Sequence, residues 1–181
     1  MRRRIKRLVP LASDQAKQAR NEARVSKTTR RGQTGFEAHR PGIDYGILDD
    51  LTGYAVRRAQ IRVTQAFDDK LGGQGMTTQR FSALVLIARN PGVKQTELAA
   101  IMGIARSGVL AIVEALDDQG LIQRRPVPGD ARAQALHLSP LGEERLPAIL
   151  AAVADHDREI AASLSAEEIA VLKGLLERIA P

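Results

Sequence analysis

The sequence predicts a mainly α-helical chain with one small β-hairpin. Apolar residues recur at helical spacing through most of residues 48–181, and one Pro- and Gly-rich stretch separates two short segments of β character. Apolar residues make up 44% of the 181 residues but aromatic residues only 3%, so we expect a core of Leu, Ile, Val and Ala. A chain of this length accommodates one domain with extensions.

Positive charge is concentrated in an N-terminal arm. Residues 1–40 hold twelve Lys and Arg against three Asp and Glu, a net charge of +9, whereas residues 41–181 carry −3. Because the arm has little apolar content and Gly and Pro recur between Gly32 and Gly46, residues 1–46 are predicted to be a disordered arm and linker. The arm either binds a polyanion such as DNA, or is a solvated tail or an upstream extension of the reading frame.

Two helices are predicted in the first part of the remaining chain. A long amphipathic helix covers about residues 48–71 and ends at the glycines of Gly72–Gly75. A second helix runs from Thr77 to Arg89, with apolar residues at offsets 0, 3, 4 and 7, and Asn90-Pro91-Gly92 ends it.

A helix-turn-helix is predicted next. A short helix over about Gln95–Met102 is followed by a turn at Gly103 and by a third helix that Gly120 ends. The apolar stripe of this third helix is Val109, Ile112, Val113 and Leu116. Two short helices joined by a tight turn are the arrangement in which the second, or recognition, helix enters the DNA major groove.

A β-hairpin and two more helices complete the prediction. The hairpin has strands at Leu121–Arg125 and Ala135–Leu138 with a turn over Pro126–Asp130, and it forms a wing beside the recognition helix. Ser139-Pro140 then caps a helix that extends as far as Ser163. Ser165 and Glu168 form a capping box, which begins the last helix.

The order of these elements and several local motifs resemble the MarR family of winged helix-turn-helix regulators. The motifs are Gln95-Thr96-Glu97-Leu98-Ala99, Arg106-Ser107-Gly108-Val109, Gly120-Leu121-Ile122 with Arg124, Asp130-Ala131-Arg132 and Leu136-His137-Leu138-Ser139-Pro140-Leu141-Gly142. The resemblance implies a domain over residues 47–181, with the winged helix-turn-helix at about 77–138 and dimerisation helices at about 48–71 and 140–180.

A homodimer on a pseudo-palindromic double-stranded DNA operator follows from the resemblance, and exposed apolar stripes on the long helices favour a dimer independently. Arg132 resembles the family's minor-groove arginine, with Asp130 positioned to orient it; a surface ion pair is the alternative. The predicted DNA-binding residues are Arg106, Ser107, Gly108, Arg124, Arg125, Asp130 and Arg132. For Ser107 the alternative is a helix cap, and for Arg124 and Arg125 a solvent-facing position.

Members of the family commonly bind anionic or phenolic effectors between the dimerisation helices and the DNA-reading lobe. An arginine beside aromatic groups suits an aromatic carboxylate or an acyl thioester. The predicted effector-binding residues are Tyr54, Arg58, Arg62, Arg80 and Phe81. These arginines are alternatively solvated or paired with acids such as Asp68.

Other classes of function lack support in the sequence. There is no Cys, and His39, His137 and His156 have no metal-ligand spacing, so exposed or hydrogen-bonded histidines are expected rather than a metal site. No nucleophile with a base indicates an enzyme or cofactor, and no apolar run or signal peptide indicates a membrane protein, so a cytoplasmic location is expected. The sequence therefore predicts a ligand-responsive repressor; the alternatives are an architectural DNA-binding protein with little sequence specificity and a protein-interaction module.

Overall fold

The chain divides into two units near residue 48. The structure is a computed structural model that describes residue 37, residues 39–127 and residues 130–179. Its internal contacts divide the chain into Met1–Leu48 and Asp49–Pro181. Most of the predicted arm lies outside the described residues; within the first unit, the Arg40 N–H donates to Tyr45 Oη at 3.1 Å.

The described residues form a mainly α-helical fold with a small antiparallel sheet, which confirms the predicted fold class. The helices are α1 (Thr52–Leu71), α2 (Thr78–Arg89), α3 (Gln95–Met102), α4 (Arg106–Asp118), α5 (Pro140–Ile160) and α6 (Ala166–Glu177). The strands are β1 (Val93–Lys94), β2 (Ile122–Val127) and β3 (Asp130–Leu138), and short 3-10 helices cover Gly46–Asp50 and Gly72–Gln74.

Two predicted helix boundaries need correction. The first helix was expected to begin near residue 48, but a 3-10 helix occupies Gly46–Asp50 and the α-helix begins at Thr52. The fifth helix ends at Ile160 rather than Ser163. The predicted caps are confirmed: Ser139 Oγ accepts the Gly142 N–H at 2.9 Å, and Ser165 and Glu168 form a reciprocal capping box.

The sheet has the order β1-β3-β2, with both pairs antiparallel. The wing hairpin pairs Ile122 with Leu138 and Arg124 with Leu136. Pro126 was predicted to lie in the turn but belongs to β2. This strand lies at the edge of the sheet, where a residue without a backbone N–H is tolerated. The strand β1 was not predicted, because two residues carry no periodicity.

The core lies beneath α4. Leu84 and Ile87 of α2, Leu98 of α3 and Leu136 of β3 are fully buried, and the predicted stripe of α4 (Val109, Ile112, Val113 and Leu116) is buried against them. Full burial of one such side chain stabilises a fold by about 1.5–3 kcal/mol. The recognition helix therefore packs against the core along one face.

A search of the described residues finds no single helix with the length and apolar character needed to cross a membrane. The helices α3 and α4 pass the test of length and composition only as a pair, with a bend of 114° between them.

Candidate nucleic-acid interface and effector site

The N-terminal end of α4 is exposed and carries three of the predicted DNA-binding residues. Arg106, Ser107 and Gly108 occupy its first turn, and all three are exposed. The next residue, Val109, is fully buried, so the exposed first turn lies directly beside the core. Unpaired backbone N–H groups make a helix N-terminus attractive to anions, so this end of α4 suits contact with DNA.

The exposed face of α4 is poor in positive charge. Arg106 is the single basic residue between Arg106 and Asp118, and the exposed positions along the helix are apolar or acidic: Leu110, Ala111, Glu114, Asp117 and Asp118. Electrostatic attraction to phosphates must therefore come from other parts of the chain.

An ion pair joins the wing to the recognition helix. Arg124 Nε lies 3.1 Å from Asp117 Oδ2, and the Arg124 side chain is only 25% exposed. The geometry is not that of a hydrogen bond, since Arg124 Nε has no hydrogen-bond partner among the described residues. Sequence reasoning placed Arg124 against phosphate or solvent and did not identify Asp117 as its partner. Arg125, the next residue, is exposed as a phosphate-binding side chain would be.

In the wing, residues 128 and 129 lie outside the described residues, and residues 130–133 are described by their backbone only. Asp130 pairs with Val127 across the hairpin, and the register shifts between Pro126 and Val127. The side chains of Asp130 and Arg132 lie outside the described residues, so their roles in DNA binding stay predictions.

The predicted effector residues separate into two groups. In the first, the Arg58 guanidinium lies 5.0 Å from the centroid of the Tyr54 ring, and Arg58 Nη1 contacts Asp49 Oδ1 at 3.1 Å. The acid that pairs with Arg58 is thus Asp49 and not Asp68, the example expected from the sequence. Arg62, one turn further along α1, is exposed.

The second group lies at the other end of α1. Arg80 Nη1 donates to the Gly75 carbonyl at 2.5 Å, and the Phe81 ring packs 6.2 Å from Phe67. At 1.5 Å per residue, Tyr54 and Phe67 are about 20 Å apart along the helix axis. The structure therefore does not bring all five predicted residues into one compact pocket.

His156 is buried, whereas its acidic neighbours in the sequence favoured an exposed position. Its side chain is 4% exposed, meets Phe67 edge to face at 5.4 Å, and has no hydrogen-bond partner for Nε2 among the described residues. The acidic neighbours Asp155 and Asp157 indicated an exposed face, but adjacent helical residues point about 100° apart. In the described part of the chain, no group of three or more His, Cys, Asp or Glu is arranged to hold a metal ion.

Charged side chains also join α1 to α5. Lys70 Nζ donates to Glu159 Oε1 at 2.5 Å, and this hydrogen bond lowers the pKa of the Glu159 carboxyl. Nearby, partial burial and then the neighbouring charge of Asp69 raise the pKa of Asp68. The pair between Lys70 and Glu159 is exposed and contributes little to stability.

Comparison with known proteins places this arrangement in a family. The MarR family model matches residues 74–133, which include α2, the helix-turn-helix and most of the wing. A protein of Thauera aromatica, named as a candidate transcriptional regulatory protein for the hcr operon, is 35% identical over 75% of this chain and 82% of its own length.

Solved structures are similar over nearly their whole length. A probable transcriptional regulator from Pseudomonas aeruginosa is 36% identical, with a TM-score of 0.68 over 73% of this chain and 98% of its own. The transcriptional repressor CouR bound to a 23-mer DNA duplex is 34% identical, with a TM-score of 0.71 over 77% of this chain and 99% of its own. CouR bound to p-coumaroyl-CoA is 33% identical, with a TM-score of 0.69 over 76% and 97%.

The chain belongs to the MarR family of winged-helix transcriptional regulators.

Proposed function

We propose that the chain is a repressor that binds a pseudo-palindromic DNA operator as a homodimer and is released by a small effector. The observation that carries the proposal is the exposed first turn of α4, held over a buried core and bearing Arg106 and Ser107. The similar repressor CouR has been solved with a DNA duplex, which supports the same use of this surface here.

The proposed DNA contacts follow from side-chain chemistry. Arg106 suits a bidentate contact with guanine, and Ser107 can bond several base edges. Gly108 is exposed with no side chain, so the first turn of α4 can approach the duplex closely. From the wing, Arg125 contacts phosphate and Arg132, oriented by Asp130, enters the minor groove. Arg124, which is paired with Asp117, acts by holding the wing against α4.

The substitution Arg106→Ala is expected to lower operator affinity by about 1–3 kcal/mol for each half-site, roughly fivefold to 150-fold per half-site, and to relax specificity at one base position in each of them. The operator would be selected from genomic fragments, and fluorescence anisotropy would compare it with random duplex. Arg145→Ala, which removes an exposed arginine from α5, is the matched control and should change neither affinity.

The alternative is an architectural DNA-binding protein, and the comparison of operator with random duplex distinguishes the two. A regulator should prefer its operator over random DNA by at least roughly 10³-fold, whereas an architectural protein dominated by the basic arm would show little preference. Because α4 carries so little positive charge, we propose that the arm adds phosphate contacts. Deleting residues 1–36 should then reduce the salt dependence of binding to both duplexes and leave the preference for the operator over random DNA unchanged. An unchanged salt dependence would contradict this role of the arm.

For the effector, we propose an aromatic acyl thioester. Tyr54 and Phe67, at the outer ends of the two groups, are too far apart for one compact aromatic acid to contact both, whereas an elongated thioester can reach both. The solved complex of the similar repressor CouR with p-coumaroyl-CoA supports this class of ligand. A ligand releases DNA only if it binds the DNA-incompetent arrangement more tightly.

Titration of p-coumaroyl-CoA into a preformed operator complex is expected to release the DNA, while coenzyme A alone and p-coumarate alone should act weakly. Arg58→Gln is expected to raise the concentration needed for release by roughly tenfold, because a charge-assisted hydrogen bond is lost. Arg57→Gln changes the adjacent, exposed arginine and should have no effect. Equal effects of the two variants, or no release by the thioester, would exclude this ligand class at this site.

A further inference from the structure

Two side chains from different helices hold one backbone carbonyl at the junction of α1 and α2. Arg80 Nη1 donates to the Gly75 carbonyl oxygen at 2.5 Å, and Gln119 Nε2 donates to the same oxygen at 3.3 Å. Gln119 caps the C-terminal end of the recognition helix α4 and lies 44 residues from Gly75 in the sequence. The carbonyl is therefore a tertiary link between the end of α4 and the loop that follows α1.

The packing at Gly75 shows that this link is closely fitted. Gly75 has a φ of +74°, and a Cβ at this position would lie 3.0 Å from Gln119 Nε2 and 3.8 Å from Arg80 Nη1. The Gly75 N–H donates to the Gly72 carbonyl at 2.8 Å, which fixes the orientation of the turn. A residue with a side chain would be strained here and would displace the Gln119 amide.

We propose that Gln119 is a positioning residue for operator recognition and that it acts through the Gly75 carbonyl it shares with Arg80. The inference rests on the proposed function, because Gln119 is assigned a role in orienting the end of α4 that contacts DNA. A helix of 13 residues is about 20 Å long, so a rotation of roughly 5° about its C-terminal end moves Arg106 by about 2 Å. That displacement is enough to break a bidentate contact with a base.

Arg80 gives this link a regulatory use. Arg80 belongs to the proposed effector site, and an anion that binds Nη1 of its guanidinium competes with the Gly75 carbonyl for this donor. The loop after α1 and the end of α4 are then held less firmly together, which favours arrangements that do not fit the operator. Replacing Arg80 by an apolar residue imitates the loss of this donor without any effector.

A double-mutant cycle in the full-length chain tests the proposal. Gln119→Met and Arg80→Met each remove a hydrogen-bond donor and keep an unbranched side chain. Each variant is expected to lower operator affinity about twofold to tenfold. Affinity for random duplex should stay unchanged. Because both act on one carbonyl, the double variant should lose less than the product of the two single losses. Gln60→Met removes an exposed hydrogen bond to Thr64 within α1; it should change neither affinity and should combine multiplicatively with Arg80→Met.

The outcomes separate this inference from the proposed function. If the unsubstituted chain selects an operator but the losses of Gln119→Met and Arg80→Met multiply, the shared carbonyl is not the link. A lower Tm with unchanged operator affinity, or an equal loss on random duplex, would show that Gln119 has a structural role only and would overturn the proposal. If the unsubstituted chain prefers no fragment, the proposed function fails, and this inference fails with it.

Discussion

Gly142→Ala is expected to lower the free energy of unfolding by roughly 3 kcal/mol or more, one of the largest single-residue effects available in this chain. Gly142 is buried in the first turn of α5, and a Cβ at this position would lie 1.9 Å from the backbone oxygen of Leu121 and 2.9 Å from its carbonyl carbon. Backbone atoms cannot rotate away as a flexible side chain can. The start of α5 would have to move off the start of the wing.

That movement would also break the hydrogen bonds around the cap of α5. Ser139 N–H donates to the Leu121 carbonyl at 3.1 Å, Ser139 Oγ contacts the Gly120 carbonyl, and Gly142 N–H donates to Ser139 Oγ. Leu121 and Ile122 belong to the core. The strain at Gly142 therefore spreads to the base of the wing.

Urea denaturation followed by circular dichroism measures the effect as a shift in the midpoint. Gly53→Ala is the matched control: Gly53 also lies in the first turn of a helix, and a Cβ there meets nothing within 4 Å. This control should be neutral or slightly stabilising, since alanine favours helices over glycine. Similar midpoints for the two variants would mean that α5 does not approach Leu121 as closely as the structure has it.

The sequence was sufficient where a regular pattern coincided with burial. The offsets of Val109, Ile112, Val113 and Leu116 predicted both the recognition helix and its buried face, because a single stripe on a short helix can pack in one way only. The cap at Ser139 was also predictable, since Ser-Pro at a helix start satisfies local backbone groups without help from other elements. Local chemistry fixed these features.

Features that depend on distant residues were not predictable. The pairing of Arg124 with Asp117 needs the wing to fold back on α4, and the link from Gln119 to Gly75 needs α1, α2 and α4 to meet. Neither contact has a spacing that a single sequence reveals. The burial of His156 was not predictable for a related reason. Its acidic neighbours make the segment polar on average, but whether a residue is buried depends on the helix face it occupies, and His156 occupies the face that packs against Phe67.

The same distinction applies to the DNA-binding and effector residues. Arg106, Ser107 and Gly108 were predicted together because they are consecutive, and the structure exposes them together. Tyr54, Arg58 and Arg62 were assigned from their shared face on the first helix, and Arg80 and Phe81 from the start of the second. Neither criterion shows how far apart the residues lie along the helix axis. Of the two ligand classes that the sequence left open, an aromatic carboxylate and an acyl thioester, their separation into two groups favours the elongated thioester.

A dimer-breaking variant is expected to reduce operator affinity strongly. The C-terminal apolar face, formed by Val171, Leu172, Leu175, Leu176 and Ile179, is exposed in the single chain, with Val171 61% and Leu175 51% exposed. Exposed apolar residues clustered on one helix indicate a surface that a partner covers. Leu172→Glu combined with Leu176→Glu, one turn apart on this face, is expected to give a monomer in light scattering and to weaken operator binding by at least roughly 100-fold, because the second half-site is no longer bound intramolecularly.

The variant should keep its fold, which makes the result interpretable: none of the residues of α6 is buried in the single chain, so two glutamates there remove no core packing. Lys173→Glu is the matched control, since it places the same side chain on α6 between the two substituted positions but outside the apolar face. It should remain dimeric and bind the operator with little change. If the double variant stays dimeric, another surface holds the subunits together. If it becomes monomeric and still binds the full operator as tightly as before, recognition does not depend on paired helices, and the proposed twofold mode of binding is wrong.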